Sequence, residues 1–128
     1  MSELNAANAS EEFRIGSILD QSSRLDLAVD HYDKAVRLSD QHPQYLIGLG
    51  EAMLRLQKLA VALSRFDLAI ERSSNPDSSE ADRKLKSKAL LLKGITLRKL
   101  GRPEARKTID KALAEDPELY DTYLRYGP

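Results

Sequence analysis

Cysteine is absent from the 128 residues. That removes disulfides, thiolate zinc sites and cysteine nucleophiles together, and it suits a reducing compartment. Net charge is absent too: 20 basic and 20 acidic residues cancel, which argues against a general binder of nucleic acid or membrane surface. No apolar run nears the roughly 18 residues of a membrane helix. The opening Met-Ser-Glu-Leu-Asn-Ala lacks the basic and apolar regions of a signal peptide. A cytoplasmic location is therefore expected. Catalytic signatures are missing as well: neither phosphate-binding glycine loops nor G-x-S-x-G nor H-E-x-x-H occurs. The two histidines, His31 and His42, have Asp30, Asp33 and Asp40 nearby in sequence. Acidic residues beside exposed histidines are common, so no metal site is read there. Glu11 and Glu12 are adjacent on a helix and point different ways. The many serines have no base partner. No catalytic residue, metal or cofactor is expected, and the chain is not read as an enzyme.

What is present is an internal repeat. Ala28, Tyr32 and Ala35 are followed 34 residues later by Ala62, Phe66 and Ala69. Gly16 and Gly50, Ile15 and Leu49, and Leu19 and Met53 keep the same offset. A third copy is shifted: Ala105, Ile109 and Ala112 repeat the spacing, Asp116-Pro117 closes the unit, and Gly94 lies 44 residues after Gly50. Ala105 lies 43 after Ala62, so about ten residues are inserted between copies two and three, and one is lost within the third near Gly101-Arg-Pro103. The small residues let two helices cross closely within each copy. Tyr32, Phe66 and Ile109 then fill the space between one copy and the next.

The 34-residue period, the apolar-Gly-x2-apolar stretch, the A-x3-[FY]-x2-A triplet and the closing proline resemble the tetratricopeptide repeat. The resemblance covers roughly residues 9–117. It implies an all-α fold: antiparallel helix-turn-helix repeats stacked into a right-handed α-solenoid with a concave groove. About three units are needed for a stable stack, and three are present. The early large aromatic of each first helix is replaced by Glu12, Leu46 and Leu90.

The expected organisation is a flexible N-terminus over 1–8 and a single repeat domain over 9–128. The repeats span about 9–42, 43–76 and 87–117, with an insertion at about 74–86 and a C-terminal capping helix over 118–126. Periodicity and breakers predict helices near 10–22, 25–39, 43–56, 59–73, 79–100, 103–115 and 118–126. Ser73 to Ser79, with its Asn-Pro step, reads as a loop, and Ser79 with Asp82 as a capping pair. The insertion is either a contact segment or a tolerated surface elaboration. Tyr120, Tyr123 and Tyr126 belong either to a cap packed on the third repeat or to an end interface with another chain.

The resemblance also implies that a ligand would occupy the concave face of the first helices. Helical spacing from each glycine nominates Phe13 and Ser17; then Ile47, Glu51 and Arg55; then Lys88, Leu91, Ile95, Arg98 and Lys99. Some family members clamp the acidic tails of heat-shock chaperones with Lys, Asn and Arg. Here the corresponding places hold Phe13, Ser17, Lys88 and Leu92, so chaperone-tail binding is not expected. Phe13, Ile47, Leu91 and Ile95 form an apolar strip, with basic residues at one end.

Charge is also segregated: residues 81–113 carry 11 basic and 3 acidic groups, while residues 1–42 carry 4 and 8. The expected function is a non-catalytic interaction module that holds a partner peptide or helix, acidic with apolar anchors, as adaptor or scaffold. The alternatives are a small secretion-type chaperone and a self-associating homo-oligomer. Basic residues without interleaved aromatics do not suit nucleic acid.

Overall fold

The structure, a computed structural model, describes residues 2–127. The described residues contain seven α-helices and no strand: α1 (Glu3–Gln21), α2 (Leu25–Leu38), α3 (Pro43–Arg55), α4 (Leu59–Ser73), α5 (Glu80–Lys99), α6 (Ala105–Glu115) and α7 (Tyr120–Arg125). A 3₁₀ turn, Pro117–Leu119, leads into α7. Helices α1/α2, α3/α4 and α5/α6 pack as antiparallel pairs, and α2/α3 and α4/α5 join the pairs in series. This is the expected all-α solenoid.

Helix ends follow local chemistry. Ser79 Oγ accepts from the Asp82 N–H at 3.1 Å and opens α5. At α3 the imidazole of His42 accepts from the Gln44 N–H, and Pro43 takes the first helical position, where its missing N–H costs nothing. One expectation is corrected. Residues 3–8, read as a flexible N-terminus, are the first turns of α1; Met1 lies outside the described residues. Their Asn-Ala-Ala-Asn stretch has no apolar period, but alanine is the strongest helix former. Ser2 Oγ caps it by accepting from the Asn5 N–H at 3.1 Å, and Ala9 is fully buried. A smaller difference is that α6 opens at Ala105, two residues after Pro103.

The turns inside the three pairs are copies of one another. Each places one residue in left-handed backbone: Ser23 (φ 62°), Gln57 (φ 64°) and Gly101 (φ 73°). In each, the next N–H closes back on a carbonyl five residues earlier: Arg24 on Leu19, Lys58 on Met53 and Arg102 on Leu97, all at 2.8–2.9 Å. Left-handed backbone at a helix end is the glycine position of a C-cap, yet only the third turn uses glycine.

The repeat signature is explained by packing. A Cβ on Gly16 would sit 2.6 Å from the Tyr32 ring, one on Gly50 2.6 Å from the Phe66 ring, and one on Gly94 2.6 Å from Ile109. The large side chain of each second helix thus lies directly on the glycine of its own first helix, a contact within a copy where the sequence pattern placed it between copies. Ala28, Ala62 and Ala105 are buried beside these contacts. Phe66 is completely buried, which is worth about 1.5–3 kcal/mol relative to exposure. The core continues through Leu46, Leu49 and Leu54 of α3 into Leu90, Leu91, Leu92 and Ile95 of α5.

Candidate functional site: the concave cleft

A cleft of about 290 Å³ opens where α1, α3, α5 and α7 face one another. The last turns of α1 bring Ser17, Asp20 and Gln21 to it, and α2 contributes Tyr32. Glu51 and Arg55, one helical turn apart on α3, form the centre of the wall. Lys88 of α5 and Thr122 and Arg125 of α7 complete it.

Two bonded groups of polar side chains meet at α3. Arg55 grips Asp20 with both guanidinium nitrogens, Nη2 to Oδ2 at 2.9 Å. The Tyr32 hydroxyl donates to the same Asp20 oxygen at 3.0 Å. On the other side the Tyr126 hydroxyl donates to Glu51 Oε2 at 2.6 Å, joining residues 75 apart in sequence. Burial pushes the Tyr32 hydroxyl up to about 12, with the Asp20 charge adding to it. Burial and the Glu51 charge raise the Tyr126 hydroxyl further. Both therefore stay protonated donors at neutral pH. Burial disfavours the Arg55 charge, but Asp20 and Glu51 outweigh it and raise its pKa above the ordinary value. Asp20, Glu51 and Arg55 are thus satisfied within the protein. Among the described residues, Lys88 and Arg125 make no ion pair. The cleft therefore offers two uncommitted cations, in a wall otherwise set by internal bonds.

The ten groove residues nominated from helical spacing separate into three groups. Ser17, Glu51, Arg55 and Lys88 line the cleft. Ile47, Leu91 and Ile95 are core residues: Ile47 is 3% exposed and the other two are fully buried. The apolar strip is therefore not a surface. Helix α5 packs against α3, α4 and α6 at once, leaving its apolar side chains no open face. Phe13 is half-buried, its ring centroid 5.3 Å from that of Tyr32 and 5.0 Å from that of Tyr45. It also covers Gly48, where a Cβ would lie 2.7 Å from the ring. Arg98 and Lys99 fall outside the cleft. Arg98 turns to α7, its guanidinium 5.8 Å from the Tyr123 ring centroid, and Lys99 is solvent-exposed.

The tyrosine trio read as an end interface also divides. Tyr123 is 5% exposed and packs α7 onto the bundle, Tyr126 joins the cleft network, and only Tyr120, 52% exposed, remains on the surface. Asp20, Gln21, Tyr32, Thr122 and Arg125 were not anticipated as cleft residues. Asp20 and Gln21 lie three and four positions after Ser17, so helical spacing alone reaches them. The tip of Tyr32 escapes a pattern that registers only its ring. No group of three or more His, Cys, Asp or Glu among the described residues could hold a metal ion. No described helix is long and apolar enough to cross a membrane.

No family model matches the chain. It is 30% identical over 114 residues to an Hsp70-Hsp90 organizing protein of Triticum aestivum, covering 85% of this chain and 19% of that protein. It is 31% identical over 105 residues to Hsp70-Hsp90 organizing protein 3 of Arabidopsis thaliana, covering 78% and 18%. The chain thus spans about one fifth of the length of these relatives. Among solved structures, the N-terminal domain of stress-induced protein-1 from C. elegans superposes with TM-score 0.77 at 22% identity, covering 99% of this chain and all of that one. The first TPR of Spaghetti (RPAP3), bound to HSP90 peptide SRMEEVD, superposes with TM-score 0.70 at 25% identity, covering 94% and 91%. With the 34-residue packing signature and the paired helices, these likenesses show that the chain has the fold of tetratricopeptide-repeat domains.

Proposed function

We propose that the chain is a non-catalytic adaptor module that holds an extended segment of a partner protein in the concave cleft. The observation that carries this reading is the cleft itself: a preformed polar trough whose internal charges are mutually satisfied, leaving Lys88 and Arg125 for a ligand carboxylate. The Spaghetti TPR, similar over 94% of this chain, is bound to an HSP90 peptide, which supports a peptide as the ligand class. An adaptor of this kind needs no cofactor, and we place its work in the cytoplasm. The residues do not favour the same peptide. Of the clamp positions only Lys88 remains a cleft cation, whereas Phe13 plugs against Gly48 and Leu92 is fully buried. A peptide with an acidic group near Lys88 and Arg125 and polar contacts along Ser17 and Thr122 fits better. An exposed apolar groove would have favoured a secretion-type chaperone; burial of Leu91 and Ile95 removes it.

Fluorescence polarisation against a library of acidic peptides, with SRMEEVD included, tests the proposal. Selected peptides should lose at least tenfold in affinity on Lys88→Glu with Arg125→Glu, while helical circular dichroism is kept. SRMEEVD should bind more weakly than the selected peptides. Unchanged binding by the double variant would refute the cleft as the site.

A further inference from the structure

A second cavity, of about 260 Å³, lies at the C-terminal end of the bundle and shares no residue with the cleft. Its walls are Arg98 from the end of α5, Arg102 from the turn and Arg106 from the first turn of α6; Ile109 and Tyr123 form its floor. Arg98 is held in place, stacked over the Tyr123 ring and donating to the Tyr126 carbonyl at 3.4 Å. Among the described residues Arg106 pairs only with the exposed Asp110, one turn along, at 3.3 Å. Arg102 makes no ion pair among the described residues. No side chain caps α6. Three guanidinium groups against one carboxylate leave two positive charges in a space smaller than the roughly 300–1,000 Å³ of an ordinary small-molecule site. That volume admits one side chain bearing a compact anion, not a helix.

We propose that this cavity receives a phosphorylated serine or threonine side chain of a partner protein. A phosphomonoester carries about −1.5 to −2 charges at neutral pH and three acceptor oxygens. It matches the cavity's charge in a way a single carboxylate does not, and planar guanidinium groups engage phosphate oxygens in pairs. Pro103 and Ile109 supply an apolar surface for the short seryl stem. The site stands apart from the cleft, so a partner could be held at one point by its backbone segment and at another by its modification.

The test is a ¹⁵N NMR titration of the full chain, including arginine Nε resonances, with N-acetyl-O-phosphoserine methylamide. Saturable shifts are expected at Arg102, Arg106 and Ala105, with N-acetylglutamate methylamide and inorganic sulfate at least fivefold weaker. Arg102→Gln with Arg106→Gln should weaken binding at least tenfold. Lys107→Gln with Lys111→Gln, which removes equal charge from exposed positions of the same helix, should leave it unchanged. Both pairs are exposed, so circular dichroism should show the fold intact. Equal loss in the lysine control, equal binding of glutamate or sulfate, shifts at Lys88 and Arg125 instead, or no saturable shift would each overturn the proposal.

Discussion

The three equivalent turns make a sharp prediction about stability. Ser23, Gln57 and Gly101 all hold φ between 62° and 73°, and each precedes the same backbone closure. Left-handed backbone costs a residue with a Cβ about 1–2 kcal/mol. Replacing such a residue by glycine recovers that cost but frees the unfolded chain, which gives back roughly 0.4–1 kcal/mol. The net gain for Gln57→Gly is therefore about 0.5–1 kcal/mol. Gln57 is exposed, so no packing change clouds the figure. Gly101→Gln runs the other way, and a Cβ there meets nothing within 4 Å, so its loss of similar size is conformational alone. With a urea m-value of about 2 kcal/mol/M, the midpoints should move up and down by about 0.3–0.5 M. The double variant Gln57→Gly/Gly101→Gln should return to within about 0.5 kcal/mol of the parent, because the turns are separate. Urea melts followed at 222 nm measure all three. Single variants shifting in the same direction, or a double variant far from the parent, would refute the equivalence of the turns.

Gly50→Val should destabilise by about 1–3 kcal/mol through overpacking against the buried Phe66 ring, visible as a lower thermal midpoint. Tyr126→Phe leaves Glu51 without its 2.6 Å donor; a loss of about 1 kcal/mol and faster amide exchange in α7 are expected. The Tyr32 hydroxyl, raised to about 12 from the ordinary 10, binds its proton more tightly in the folded than in the unfolded state. Its contribution is full below pH 10 and is lost as pH rises from 10 to 12. Alkaline unfolding curves of the parent and Tyr32→Phe should therefore converge across that window, and parallel curves would contradict it.

The sequence carried the fold where packing is periodic. Gly16, Gly50 and Gly94 keep their spacing to Tyr32, Phe66 and Ile109 because a ring or a branched chain rests on each glycine. That contact demands fixed residue types at fixed positions. The start of α1 carried no such demand, since capping by Ser2 and alanine propensity leave no apolar period to read. The cleft was half legible. Helical spacing found Ser17, Glu51, Arg55 and Lys88, but it also nominated Leu91 and Ile95, because the pattern of α5 alone does not tell that three helices surround it. The bond from Tyr126 to Glu51 spans 75 residues, and nothing local to either residue announces it.

The cleft network also bears on how the molecule comes apart. A repeat array usually behaves as a chain of nearest neighbours, in which an end unit frays without the opposite end sensing it. Here Tyr32 and Asp20 bond α2 and α1 to Arg55 of α3, while Tyr126, after α7, bonds to Glu51, one turn from Arg55 on the same helix and acting on it through its charge. Loosening the C-terminal helix releases Glu51 from its donor, beside the arginine that steadies the first repeat. Opening should therefore travel as one cooperative event, with exchange protection in α1 falling when α7 is undocked, although the two helices belong to opposite ends of the stack.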